Sequence, residues 1–243
     1  MTLHPHALRT PLLATLLALS AGLAQAEVAV TMTTQVNQVF EVSQTDLLQT
    51  ALASSSFVGN FGMTGTAGEV AFNNGVYGSI GYQGFGGEAA TAGVDQVATF
   101  TLNAGAGAGY DIRLIDSYSG WDGNRGGQSY VLSYTTVADP GTWIRLASVF
   151  DNATTPNNGN TNTHVNLADS NGGFLATGVQ SLRFEFRDDL DYSFAGYREI
   201  DVQGLASAVT PAVPEPASVG LMLAGLGMVG LQARRRRGVA GGR

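Results

Sequence analysis

Apolar side chains return at every second position through most of this chain. Ala98, Phe100 and Leu102 alternate with Thr99 and Thr101, and Tyr110, Ile112 and Leu114 alternate with Asp111 and Arg113. Tyr130, Leu132 and Tyr134 share one side of the stretch 129–137, Phe184 and Phe186 stand between Arg183, Glu185 and Arg187, and Ile200 and Val202 alternate with Glu199 and Asp201. A period of two sends successive side chains to opposite faces of an extended strand, whereas a helix needs a period near 3.6. The pattern predicts antiparallel strands with one face buried and one in water. Turn-rich segments at 84–87, 120–127, 139–141, 155–163 and 169–173 space these as roughly eight strands, which need a second apolar face to cover them. The expected class is all-β, a two-sheet antiparallel sandwich. One short helix is expected within 44–53, where Leu47, Leu48 and Ala51 follow a cap at Ser43.

This fold has to hold without covalent help. The chain has no cysteine, which removes disulfides, thiol catalysis and thiolate metal sites. It has no lysine either, so lysine nucleophiles and Schiff bases are excluded.

Both ends read as addresses. Residues 1–11 carry Arg9 and no acid, Leu12–Leu23 is apolar, and Ala24-Gln25-Ala26 fits a small-x-small cleavage rule. Residues 1–26 are therefore expected to be a signal peptide, read by the Sec machinery and cut by signal peptidase before Glu27. At the other end Val213-Pro214-Glu215-Pro216 precedes an uncharged run, 217–233, and then Arg234, Arg235, Arg236 and Arg237. As a helix that run spans about 25 Å, a short crossing of a ~30 Å hydrocarbon core. The arginines should stay on the cytoplasmic side.

The tail resembles the PEP-CTERM sorting signal of exopolysaccharide-producing Gram-negative bacteria, which places a Pro-Glu-Pro motif, a transmembrane helix and an arginine cluster in this order. The resemblance implies that an exosortase, a membrane-embedded cysteine transpeptidase, cuts near Pro214-Glu215-Pro216 and passes the domain toward the cell surface or extracellular matrix. Residues 213–237 would be the sorting signal, 206–212 a linker and 27–205 the β-sandwich domain. The precursor would be anchored in the inner membrane with its N-terminal side outside.

Between the two addresses lie 18 acids and six arginines, a formal charge of −12. That balance favours solubility and argues against nucleic acid as a partner. His4 and His6 leave with the leader, so His164 is the one imidazole of the exported part. A multi-histidine zinc site is excluded, and His164 reads as a strand-edge residue. No nucleophile elbow, zincin motif or phosphate loop is present, and 18 carboxylates mark no particular glycosidase pair. The expectation is a protein that is not an enzyme.

A second resemblance covers 110–204. Tyr110-Asp-Ile-Arg-Leu-Ile-Asp-Ser-Tyr-Ser-Gly-Trp121, then Gln128-Ser-Tyr-Val-Leu-Ser-Tyr-Thr135, Arg183-Phe-Glu-Phe186 and Tyr197-Arg-Glu-Ile-Asp-Val-Gln-Gly204 are similar to the galactose-binding-like jelly roll of discoidin and carbohydrate-binding modules. It implies that Ser117–Gln128 is a ligand-side loop presenting Tyr118, Trp121, Asp122, Asn124 and Arg125. Aromatic faces cover apolar sugar faces, and Asp, Asn and Arg satisfy hydroxyls. The same residues also fit a structural role, with Trp121 plugging the core edge and Arg125 pairing with an acid. Trp143 reads as a core or sheet-face residue. Jelly rolls of this kind often carry a structural calcium, for which Asp188, Asp189 and Asp191 offer oxygen ligands; the alternative is a solvated acidic turn. No organic cofactor is expected.

Three functions stand open. One is an exported surface or exopolysaccharide-matrix protein with a structural or weak carbohydrate-binding role. Another is a dedicated glycan-binding module using Ser117–Gln128, and the third is a glycan-acting hydrolase.

Overall fold

The computed structural model describes residues 26–62, 68–78, 89–103, 107–122, 125–153, 160–187 and 193–209, with 220–221, 223–226 and 228 in the tail. Ten strands run through them: β1 (Val28–Val36), β2 (Leu52–Val58), β3 (Ala90–Gly93), β4 (Val97–Leu102), β5 (Tyr110–Asp122), β6 (Gln128–Thr136), β7 (Ile144–Asp151), β8 (Asn160–Asp169), β9 (Ala176–Phe186) and β10 (Phe194–Ala206). Every pairing is antiparallel.

Hydrogen bonding arranges the strands in two arrays. One runs β1-β8-β5-β10-β3 and the other β7-β6-β9-β4-β2. They join where β5 meets β9, at Tyr110 with Val179 and Ile112 with Ala176. The apolar halves of the alternating strands face each other between the arrays. Ile115, Val165, Leu167, Ile200 and Val202 of the first are buried against Leu132, Phe184 and Phe186 of the second in one core.

Aromatic rings hold the arrays together. Phe186 of β9 lies 4.7 Å from Tyr197 of β10, and Tyr130 of β6 lies 6.3 Å from the same ring. Phe72 sits on a single 3-10 turn, Glu69–Phe72, outside either array. Its ring reaches Phe61 at 5.3 Å, Phe186 at 5.6 Å, Phe57 at 6.0 Å, and Phe100 and Tyr197 at 6.2 Å. A buried polar knot adds specificity near one end of the core. There Ser117 Oγ donates to Gln128 Oε1 at 2.6 Å, and Gln128 Nε2 donates to the Ser117 carbonyl at 2.9 Å.

Three expectations need correction. The helix within 44–53 is one turn, α1 (Leu47–Thr50), capped by Asp46 rather than Ser43, because the Asp46 carboxylate accepts the Leu48 N–H at 2.7 Å. The chain then leaves the helix to pair Ser54–Val58 with β4. The segment Ser117–Asp122 is strand rather than loop, held between β8 and β10 on its two sides. The strands number ten rather than eight, and β1, although Val28, Val30, Met32 and Val36 alternate along it, is exposed on both faces for most of its length.

Candidate functional site

Of the residues assigned to a sugar-binding loop, Tyr118 and Trp121 do not share a surface. Tyr118 and Trp121 are three positions apart on β5 and so project to opposite faces of the strand. Both are buried, at 6% and 1% exposure. Trp121 packs edge-on against Phe194 at 6.1 Å. It lies so close to Gly196 that a Cβ there would come within 2.2 Å of its ring. Asp122 ends β5 opposite Asn160. Arg125 is half-buried, its guanidinium 4.6 Å over the Phe194 ring, and its carbonyl accepts the Gly196 N–H at 3.0 Å. Asn124, Asp188, Asp189 and Asp191 lie outside the described residues.

Instead, the densest polar chemistry sits on the outer face of the first array. Asp116 and Tyr118 of β5, His164 and Asn166 of β8, and Glu199 and Asp201 of β10 are side by side there through the strand registers. The segment 37–50 and residues 73–77 cross above them. Phe40 lies 5.9 Å from Tyr118 and 5.5 Å from His164, and Tyr118 stacks on His164 at 4.6 Å and 10°. His164 Nε2 meets Asp116 Oδ1 at 2.6 Å, and Asn166 Nδ2 donates to the same oxygen at 2.7 Å.

The carboxylates fasten the covering segments by their backbone. Asp201 Oδ2 accepts the Ser43 N–H at 2.7 Å, and Glu199 Oε2 accepts the N–H groups of Gly75 at 2.8 Å and Val76 at 3.3 Å. Asp46 Oδ1 accepts from Leu48 and, at 3.3 Å, from Val202 of β10. Each of these acids has a second buried oxygen, Asp46 Oδ2, Glu199 Oε1 and Asp201 Oδ1, with no hydrogen-bond partner among the described residues. A bulge at Arg198 breaks the β10 register. The Arg198 side chain is buried, with Nε donating to the Gly120 carbonyl at 2.9 Å and its guanidinium 5.8 Å from the Tyr77 ring.

Burying several acids together favours their neutral forms. Burial, and then the Asp201 charge, push the Glu199 carboxyl up to about 9; burial, with Asp46 and Asp116 adding to it, pushes Asp201 up to about 7. Asp46 is raised by burial as well. Burial and the Asp116 charge likewise raise the Tyr118 phenol. Asp46, Asp116, Glu199 and Asp201 are no more than 4% exposed, so a substrate cannot reach them in this conformation. Among the described residues no group of three or more His, Asp or Glu side chains is disposed to hold a metal. The arrangement acts as a clamp that fixes 37–50 and 73–77 on the sheet. Further along this outer face lies an open groove of about 240 Å³, with Leu114 and Ala168 flanked by Arg113, Asp169 and Gln203.

Comparison with known proteins decides one end of the chain. Residues 212–237 match the PEP-CTERM protein-sorting motif. The PEP-CTERM match contains Val213-Pro214-Glu215-Pro216 and the four arginines. Among the described residues no helix is long and apolar enough to cross a membrane, and most of the expected span 217–233 lies outside them. The described part of it is helical, with Leu221, Leu223, Leu226 and Met228 exposed.

No curated protein matches the chain in sequence. Among solved structures, it is similar to the family 32 carbohydrate-binding module of AlyQ in complex with 4,5-unsaturated mannuronic acid, at 13% identity and a TM-score of 0.38, covering 62% of this chain and 94% of that one. It is similar also to a family 32 module from a family 31 glycoside hydrolase of Clostridium perfringens, at 11% identity and 0.41, covering 65% and 99%. A pectin-binding module matches at 12% identity and 0.34, covering 67% and 94%.

Proposed function

We propose that the chain is an exported protein of the cell surface or exopolysaccharide matrix, delivered by its PEP-CTERM tail and structural rather than catalytic. The observation that carries this reading is the order of parts: an apolar leader, a cysteine-free β domain, and the sorting motif at 212–237. The leader would engage the Sec machinery, and signal peptidase would cut before Glu27. The tail helix would hold the precursor in the inner membrane until an exosortase-type transpeptidase acts at Pro214-Glu215-Pro216. The domain between is a jelly-roll sandwich in this reading. Replacing Pro214, Glu215 and Pro216 by alanine is expected to trap the protein in the inner membrane of cells with an active exosortase, as read by fractionation and blotting. A parent protein that itself stays full-length in that membrane would refute the surface assignment.

A second reading, glycan binding, is favoured by the groove at Arg113, Asp169 and Gln203, which pairs hydrogen-bonding groups with the apolar Leu114 and Ala168. That combination suits a sugar ring. The test is co-sedimentation with the producing cell's own exopolysaccharide. An Arg113→Ala loss of at least tenfold would support binding in the groove, and an equal loss in Arg125→Ala would support binding at Arg125. Saturable binding untouched by either change would exclude both positions, and no binding would leave the structural role.

A further inference from the structure

The four strands that edge the two arrays are not equally protected. An edge strand offers unpaired N–H and C=O groups to any other strand, and proteins blunt such edges with charge, bulges, brevity or cover. β3 is four residues long and buried throughout. β2 carries a bulge between Leu52 and Ser54, and β7 carries Arg145, Asp151 and a bulge opposite Leu132–Ser133. β1 has none of these devices. Its nine residues, Val-Ala-Val-Thr-Met-Thr-Thr-Gln-Val, contain no charge and no proline, its register with β8 is unbroken, and β8 is its one strand partner among the described residues.

The geometry of the open side is regular. The Glu27 carbonyl accepts from Ser170 at 2.8 Å and the Asn37 N–H donates to Asn160 at 3.0 Å, so odd-numbered residues bond toward β8. Even-numbered residues Val28, Val30, Met32, Thr34 and Val36 therefore turn their backbone groups to the open edge. Their side chains lie on the inner face, in register with Val165 and Leu167, yet Val30, Met32 and Val36 are 40%, 42% and 47% exposed. The inner apolar face thus runs past the last strand into solvent, along an edge of roughly 30 Å.

We infer that β1 pairs with β1 of a second copy of this chain, antiparallel about a two-fold axis at Met32. This register sets Met32 against itself, Val30 against Thr34 and Val28 against Val36, so every outward amide and carbonyl of β1 finds a partner. The inner face selects this occupant: in this register the exposed Val30, Met32 and Val36 of one copy continue into the same apolar row of the other. Each exported part carries −12, which opposes self-association, and the uncharged β1 is where that repulsion is least. The Met32 register also places Glu27 opposite Asn37 and brings no two like charges face to face.

The absence of cysteine makes the test direct. In the full-length chain, Met32→Cys treated with a short bis-maleimide should give a covalent dimer, whereas Asp139→Cys, on an exposed turn away from β1, should not. Met32→Lys and Thr34→Lys, both at exposed positions, should keep the parent's circular dichroism and weaken dimerisation at least tenfold by sedimentation velocity. Equal cross-linking at 32 and 139, a dimer that survives both lysine changes, or a parent that sediments as a monomer would each overturn the pairing. Association through the apolar tail would persist in the lysine variants and so falls among the overturning results.

Discussion

Glu199→Gln should stabilise the protein by a margin that grows with pH. The carboxyl titrates near its usual 4.5 in the unfolded chain and at about 9 in the folded one. Between those values the folded state holds a proton that the unfolded state has released, so each pH unit costs the folded state up to about 1.4 kcal/mol. This acid's contribution is present in full below about pH 4.5 and is lost as pH rises toward 9. The amide cannot titrate, and its oxygen can still accept the Gly75 and Val76 N–H groups that Oε2 holds now. Parent and variant should match near pH 4 and diverge above it, reaching roughly 2 kcal/mol or more by pH 8. Asp201, raised from 3.8 to about 7, gives the parent a similar fall over a lower window. Urea unfolding at unit intervals from pH 4 to 9 reads both, with the exposed Glu41→Gln as a control expected to track the parent. A difference independent of pH, or a deficit that deepens as pH rises, would show that the cluster ionises freely and that the clamp is not built on neutral acids.

Phe72→Ala should cost about 3–5 kcal/mol, the range for emptying a buried aromatic site. The ring is fully buried, and its five neighbours come from β2, β4, β9, β10 and the segment after β2. No neighbouring backbone can collapse into the space without moving a strand. For a domain with no disulfide and a typical stability of ~5–15 kcal/mol, such a loss should lower the denaturation midpoint severely and weaken near-ultraviolet circular dichroism. A cost under about 1 kcal/mol would mean that the turn at 69–72 is not anchored in the core.

The strands legible in the sequence are those with one wet face. β4 and β9 alternate because their outward residues meet solvent, and the period identifies them. The end of β5 reads as loop because the turn-rich stretch 120–127 overlaps it and the jelly-roll resemblance implies a ligand-side loop at Ser117–Gln128. In a strand flanked on both sides, small residues are instead what close neighbours require: a Cβ at Gly120 would come within 2.2 Å of Asn162 Oδ1. The buried acids were invisible for a related reason. Glu199 and Asp201 alternate with Ile200 and Val202 in the pattern of a water-facing row, and no local signal says that 37–50 folds back over it. The one hint is like charge: β5 and β10 place Asp116 directly opposite Asp201, which in water would be unfavourable.

The place of β10 has a kinetic consequence. It lies inside the first array between β5 and β3, yet it is the last strand of the domain, ending at Ala206. The first strand, β1, waits for β8, since Val28 pairs with Asp169. Contacts so distant along the chain make for slow closure. A chain threaded N-terminus first across a membrane therefore cannot complete this domain until almost all of it has crossed. By then the sorting motif, which begins at 212, is next in line. Maturation of the domain and arrival of its address at the membrane would coincide, so the exosortase would meet a body that has only just become able to fold.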